Sequence, residues 1–325
     1  MKAIMYQEYG APEVLSLQDT PKPTPGDNEV LVKILATTVT SGDHRARSLD
    51  LPPGFGLIGR LVFGVRRPRH AILGTEFSGV VEAIGEDVRR FAVGDPVFAY
   101  PGGEFGGYGE YCVLGEDKAI APKPAALSFE AAAAISFGGA TALNFLKDKG
   151  GIKQGDKVLI SGASGGVGSA AVQLAKYFGA HVTGVCSKTN LDLVTSFGAD
   201  RVIDYTVTDF AALGETYDII FDTTGTVTYA RAKHALKENG RLLLVSADMF
   251  QLLGMLLTPK RGGRKGLGGY APERAEDLQF LATLAETGDF KPYIDRRYTR
   301  DQAAEAHAYV DTGRKRGNVT IMMTS

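Results

Sequence analysis

Two cysteines, Cys112 and Cys186, are too few for a disulfide framework, so the expected compartment is a reducing cytoplasm. The chain also lacks any run approaching the about 18 consecutive apolar residues that span a bilayer. Its opening, Met1-Lys-Ala-Ile-Met5, reads as the start of a strand and not as a signal peptide. Net charge is nearly absent. A formal −1 gives no global electrostatic pull toward nucleic acid, which leaves small molecules as the expected partners. What is present is apolar residue in quantity: 44% hydrophobic content over 325 residues exceeds one ordinary core and predicts two domains.

The most informative stretch is Val158 to Gly168. A short apolar run, Val158 to Ser161, enters a turn of small residues, Gly-Ala-Ser-Gly-Gly-Val-Gly. After it the apolar positions change to helical spacing, with Val167, Ala171, Leu174, Ala175 and Phe178 on one face. Strand, glycine turn and helix together form a phosphate-binding turn. Small side chains let the backbone approach a pyrophosphate, and the N–H groups at the helix start point at it. Ser164, Gly165, Gly166 and Val167 are therefore candidate cofactor-binding residues. Ala163 replaces the usual first glycine of the motif, so the strand that follows, His181 to Val185, supplies needed context. The alternative is a tight structural turn that binds nothing.

Read in order, residues 1–122 are rich in glycine, proline and short alternating runs such as Val30, Val32 and Ile34 against Leu31 and Lys33. They predict an irregular, strand-rich domain. Composition changes at Ser128, a good N-cap, and a helix is expected to Lys149 with its break or kink at Gly138-Gly139. Strands at Val158–Ser161, His181–Val185, Arg201–Ile203, Asp218–Phe221 and Arg241–Val245 alternate with amphipathic helices, the pattern of a doubly wound parallel sheet. That α/β domain is placed at 123–265. In the last part, 266–325, a helix from Pro272 to about Glu286 precedes Tyr293–Thr299, a helix near Asp301–Thr312 and Asn318–Met323. This segment resumes the strand mixture of the first domain and is expected to fold back onto it.

The order of parts resembles the medium-chain dehydrogenase/reductase superfamily over essentially the whole chain. The residues that carry the resemblance include Leu73-Gly-Thr-Glu-Phe-Ser-Gly79, Val80-Val-Glu-Ala-Ile-Gly85, Gly94-Asp95, Gly107, Glu110-Tyr111 and Gly198-Ala-Asp200 through Tyr205. Within it, the chain is similar to the zinc-independent quinone oxidoreductases, zeta-crystallin and the reticulon-4-interacting reductases among them. The resemblance implies a GroES-like first domain, a Rossmann second domain and an active site in the cleft between them. It places Thr40, Thr75 and Phe137 where alcohol dehydrogenases of the superfamily carry zinc ligands. Threonine is a poor zinc ligand and phenylalanine none, so no metal is expected. Glu76 is retained. Cys112 reads as a buried strand residue. His44, His70, His234 and His307 are scattered singly, as surface or satisfied histidines.

The second strand ends in Ser187, Lys188, Thr189 and Asn190, with no carboxylate to bind a ribose 2′-OH. A hydroxyl and an ammonium there favour a 2′-phosphate, and hence NADPH. The resemblance adds Tyr205 at the cofactor and points to Arg316 in the tail Arg314-Lys-Arg316, whose alternative is a solvated basic turn. It also implies hydride transfer to a quinone or α,β-unsaturated carbonyl, whose charge spreads onto a distant oxygen without a metal. Thr40, Asp43 and Thr75 are candidate cleft groups, with Thr141 near the nicotinamide. Asp43 reads as an anchor of its loop, and no catalytic acid is assigned. The segment Leu51–His70 is expected at the substrate entrance, either as a surface that rests on anionic membrane or as a cleft wall with solvated arginines. A homodimer is expected through the strand Arg241–Val245, as an open sheet edge, and the apolar Met249–Leu257. Two alternatives remain: a zinc-type alcohol dehydrogenase, and a nucleotide binder without turnover, suggested by basic clusters at Arg60–Arg69, Lys260–Lys265 and Arg314–Arg316.

Overall fold

The computed structural model describes residues 1–257 and 263–324. Its early strands are β1 (Lys2–Met5), β2 (Ser16–Asp19), β3 (Glu29–Thr38), β4 (Phe77–Ile84), β5 (Pro96–Ala99), β6 (Tyr111–Gly115) and β7 (Ile120–Pro122). There follow β8 (Lys157–Ser161), β9 (His181–Cys186), β10 (Arg201–Asp204), β11 (Tyr217–Asp222), β12 (Leu236–Leu244) and β13 (Lys265–Gly268). Near the end come β14 (Ile294–Thr299) and β15 (Asn318–Met322). The chain divides into one unit of residues 1–51, 56–140 and 273–325 and another of residues 52–55 and 141–272.

In the first unit a sheet runs β14-β15-β3-β4-β5-β7, with β6 also paired to β3. Its centre is β3, where Val30, Val32 and Ile34 enter the core with Phe77, Val97, Ile120 and Ile321. Leu31, expected on the opposite face, is buried too, whereas Lys33 of that face is exposed and Leu35 half-buried. The tail does return: β15 lies antiparallel to β3 with Thr320 opposite Thr38, and β14 runs parallel to β15.

The second unit holds a sheet in the order β10-β9-β8-β11-β12-β13, parallel at every pairing. Strand order reverses between β8 and β11, the position at which open α/β sheets bind ligands beyond their strand ends. One expectation is corrected here. The strand expected as the open edge is β12, yet β13 pairs with it from Arg241↔Lys265 to Leu244↔Gly268. The edge is β13, which escapes a sequence reading because it is Lys-Gly-Leu-Gly. Its glycines have a packing cause: a Cβ on Gly266 would lie 2.5 Å from Met255 Sδ and one on Gly268 2.7 Å from Leu252 Cδ2. The helix Met249–Leu257 lies directly on the strand. Of the basic cluster Lys260–Lys265, Lys260 and Arg261 lie outside the described residues.

The helical stretch after Ser128 breaks elsewhere than expected. Ser128 caps Phe129–Ala133 through a bond from Ala131 N, the chain turns at Ala134-Ile135, and Gly138-Gly139 sit inside the next helix, Ser136–Leu143. Gly139 is needed for contact and not for a bend, since a Cβ there would meet Leu281 Cδ1 at 2.8 Å. A π-helical turn, Asn144–Lys149, completes the stretch. Residues 129–149 are apolar enough in composition to cross a bilayer, but 78% of the window is buried inside the protein, as a core helix is. The unit boundaries at 140/141 and 272/273 differ from the sequence reading's 122/123 and 265/266. Phe129–Ala133 packs on β3, β4 and β5, which carries the first unit past the change in composition.

Candidate active site

In the second unit, β8 delivers the chain into Gly162 at φ +76°, a left-handed conformation that favours glycine. Thr223, at the end of β11, donates from Oγ1 to Ser161 O at 2.9 Å and closes the neighbouring strand end against the turn. Gly168 is confined. A Cβ on it would sit 2.0 Å from Gly162 O. Gly165 is open, its nearest neighbour being the same oxygen at 3.5 Å, and it starts the helix Gly166–Tyr177 without any side-chain cap. The N–H groups of the first helical turn are thus left to a ligand. An uncapped start on a twelve-residue helix, a glycine floor and a strand-order reversal together fit a pyrophosphate.

Beside the turn the structure brings together side chains from three strand ends. Asn190 Nδ2 donates to Ser164 Oγ at 3.1 Å and to Ser187 Oγ at 3.2 Å. Ser187 and Thr189 hydroxyls lie 3.3 Å apart. Tyr205 follows β10, its N bonded to Cys186 O at 3.1 Å, and its ring is exposed. Lys188 stands near Asp204, whose carboxyl is held below the usual range by Thr206 and by that ammonium. Ser164, Ser187, Lys188 and Tyr205 therefore share one edge, and Asn190, which the sequence places at the strand end without a role of its own, joins them as an organising amide. Thr141 is buried on the helix Ser136–Leu143. One turn on, buried Asn144 donates to Asp148 at 2.9 Å while its Oδ1 has no partner, an acceptor suited to an incoming N–H. Arg316 lies in the first unit, its Nε and Nη2 donating to Asp295 at 3.1 and 3.0 Å.

The first unit contributes a buried polar cluster. Thr40 is the N-cap of the helix Ser41–Ser48 in a reciprocal capping box with Asp43. Asp43, fully buried, accepts from Thr40 N (2.9 Å), Thr40 Oγ1 (2.6 Å), Gly74 N (3.0 Å), Thr75 N (3.1 Å) and Thr75 Oγ1 (3.3 Å). It ties the helix start to the 74–75 loop, and the Thr40 and Thr75 hydroxyls lie 2.9 Å apart upon it. Phe137 presents a ring that packs edge-on to Tyr100. Two hydroxyls and a phenyl ring do not fit zinc, which takes thiolate, imidazole or carboxylate. Among the described residues no group of three or more His, Cys, Asp or Glu side chains could hold a metal ion.

Glu76 lies next to this pair. It accepts from Thr38 Oγ1 and from Phe137 N, each at 2.5 Å. Burial pushes its carboxyl up to about 7, against the lowering effect of those two donors; Asp43 adds to the rise and Lys315 opposes it. Lys315 donates to Val39 O at 3.3 Å, and its own pKa is lowered by burial although Glu76 and Asp43 raise it. The cluster is therefore two desolvated carboxyls, three hydroxyls and one ammonium. Between the ordinary value of 4.5 and about 7 the folded protein holds a proton on Glu76 that the unfolded chain has released. Stability then falls as pH rises through that window, by up to about 3 kcal/mol. Glu76→Gln removes the ionisation. Its unfolding free energy is expected to gain on the wild type from about pH 5 to about pH 8, and equal pH profiles in denaturant titrations would refute the assignment.

A second buried network lies behind the helix Ser41–Ser48. Arg47, fully buried, donates from Nε to His307 Nδ1 at 3.2 Å, from Nη1 to Gly10 O at 2.6 Å and from Nη2 to Asp311 at 2.5 Å. With Nδ1 accepting, His307 carries its proton on Nε2 and donates to Tyr108 Oη at 2.8 Å, leaving that hydroxyl to donate to Thr38 O at 3.3 Å. Burial and Arg47 hold His307 well below the usual range, hence neutral. It is a satisfied core histidine. Cys112 and Cys186 are buried free thiols pushed up to about 12 and about 11, chiefly by burial, and so are poor nucleophiles.

Residues 26–142 match the family described as alcohol dehydrogenase GroES-like domain, and residues 197–321 the family described as zinc-binding dehydrogenase. A 2-methylene-furan-3-one reductase of Solanum lycopersicum is 32% identical over 99% of this chain and 79% of its own. Among solved structures, the quinone oxidoreductase from Coxiella burnetii superposes with a TM-score of 0.87 at 31% identity, covering 100% of this chain and 99% of that one. The Escherichia coli quinone oxidoreductase complexed with NADPH gives 0.84 at 26% identity, covering 99% and 100%.

Proposed function

The chain belongs to the quinone oxidoreductase branch of the medium-chain dehydrogenase/reductase superfamily, and from that membership we propose an NADPH-dependent, zinc-independent reductase of quinones and α,β-unsaturated carbonyls. It is an oxidoreductase acting on quinones or enones. The observation that carries the finer reading is the Thr40–Thr75 hydroxyl pair seated on Asp43, where a metal-using site would need soft or anionic donors. Charge arriving on a quinone or enone is delocalised and can be met by ordinary hydrogen bonds, whereas a simple ketone needs stronger polarisation.

Bound NADPH supplies the hydride. The N–H groups after Gly165 take its pyrophosphate, and Ser187, Lys188, Asn190 and Tyr205 take the 2′-phosphate. Thr141 and Asn144 Oδ1 orient the carboxamide. Each charge-assisted bond to the 2′-phosphate is worth about 1.5–3 kcal/mol, so NADPH is expected to exceed NADH at least tenfold in kcat/KM. Ser187→Asp sets a carboxylate against the phosphate and moves the ratio toward NADH. The test is a panel of quinones, enones and ketones assayed with both cofactors, wild type beside Ser187→Asp. Equal use of the two cofactors by the wild type, or an unmoved ratio in the variant, would overturn the cofactor assignment, and efficient ketone reduction lost in chelator would overturn zinc independence.

A homodimer is proposed through the β13 edge with exposed Phe250 and Leu253, in place of the covered β12. A monomeric mass in light scattering at micromolar concentration excludes it. The two unpaired, buried thiols support a reducing cytoplasm, which cell fractionation checks.

A further inference from the structure

The helix Gly56–Phe63 has its apolar side turned the wrong way for a core helix. At 100° per residue Leu57, Leu61, Ile58 and Val62 fill one arc, and they are 74%, 55%, 45% and 57% exposed. The inward side is Gly59 and Phe63. Gly59 is buried so closely under Leu51 that a Cβ would lie 1.9 Å from Leu51 Cδ1, and the Phe63 ring centre is 6.3 Å from that of Phe105. Tyr9 Oη donates to Gly64 O at 2.8 Å and pins the helix end. The ridge is thus held out by an anchored inner face.

Its surroundings are cationic. Arg60 flanks the ridge, and Arg66, Arg67 and Arg69 follow Val65, itself 56% exposed. No acidic residue occurs between Asp50 and Glu76. Among the described residues none of these four arginines has a carboxylate partner. An exposed apolar ridge beside unpaired positive charge is the pattern of a helix that lies in a membrane interface, side chains in the acyl boundary and guanidinium groups on phosphates. A second copy is a poorer occupant, because a two-fold contact would bring the two arginine sets together. We propose that the helix Gly56–Phe63 and the arginine loop after it dock this protein on an anionic lipid surface. This surface is independent of the reductase reading.

The test is co-sedimentation of the full chain with vesicles of phosphatidylcholine, with and without a minor fraction of phosphatidylglycerol. Binding is expected to the anionic vesicles, to fall steeply with salt and to be weak on phosphatidylcholine alone. Each arginine near such a surface contributes about fivefold, so Arg66→Gln with Arg67→Gln should weaken binding on the order of twentyfold or more. Leu57→Ser with Leu61→Ser should abolish it, with circular dichroism showing both variants folded. No sedimentation of the wild type, binding unchanged in either double variant, or loss caused equally by Phe250→Ser overturns the proposal. So does a smaller mass for the Leu57→Ser, Leu61→Ser variant in light scattering, which would make the ridge a contact between copies.

Discussion

Gly168→Ala is expected to weaken nicotinamide-cofactor binding on the order of a hundredfold and to destabilise the second unit by about 3 kcal/mol. The new Cβ would stand 2.0 Å from Gly162 O, 2.8 Å from Gly162 C and 2.9 Å from Ala163 Cα. All three are backbone atoms of the turn, so no side chain can swing aside, and the turn itself must open. Gly165→Ala is the informative companion. Its Cβ meets Gly162 O at an ordinary 3.5 Å and its φ is −81°, so the fold should tolerate it. If a pyrophosphate rests on that position, the methyl group blocks its approach, and Gly165→Ala loses nucleotide affinity while keeping its unfolding midpoint. Calorimetric titration and thermal unfolding on both variants separate the two effects. Wild-type affinity in Gly165→Ala would mean that the nucleotide does not cross there.

Asp43→Ala is expected to cost roughly 4 kcal/mol or more of stability, enough to leave the first unit marginal. Three backbone N–H groups, those of Thr40, Gly74 and Thr75, lose their acceptor in a site that water does not reach. Each unsatisfied donor costs about 1–3 kcal/mol, while Thr40 Oγ1 can still cap the helix through the backbone N of residue 43. Asp43→Asn keeps one carbonyl oxygen of the two and should lose about half as much. The buried carboxyl is itself raised above its ordinary value by desolvation, so part of the cost of ionisation is relieved in the amide. A loss below about 1 kcal/mol for the alanine variant in denaturant unfolding would show that the loop finds other acceptors.

Local chemistry made the second unit legible. Strand, small-residue turn and amphipathic helix lie within some twenty consecutive residues, and the absent carboxylate after β9 is likewise a local fact. The tail's return was legible from strand character resuming at Tyr293. What could not be read depends on distant packing. β13 is a strand only because β12 and the helix Met249–Leu257 hold a glycine-rich segment between them. Gly138-Gly139 looks like a helix breaker until Leu281 is seen against Gly139. In the candidate site, Thr40 and Thr75 come from the family resemblance together with Asp43, and the capping box between Thr40 and Asp43 is a finding of the structure. Lys315 carried no signal of its own. It reaches the cluster because β15 pairs with β3, and only that register places a residue of the 314–316 cluster beside Val39. The protonation of Glu76 and the tautomer of His307 follow from burial, which no spacing encodes.

The pairing of Thr320 with Thr38 also has a consequence in time. Along β3 the first half is paired by β6 and the second half, Ala36 to Thr38, by β15. During synthesis the whole of residues 141–272 emerges before β15 does, and a unit with its own sheet can fold as it leaves the ribosome. The first unit cannot finish on that schedule. Closing a loop of this length costs only slightly more entropy than closing a short one, so the delay is one of supply and not of free energy. Until β15 is made, the nascent chain carries half an unpaired β3 edge next to Thr37, Thr38 and the Glu76 pocket, and that edge is where a chaperone, or a misdirected strand, would find it first.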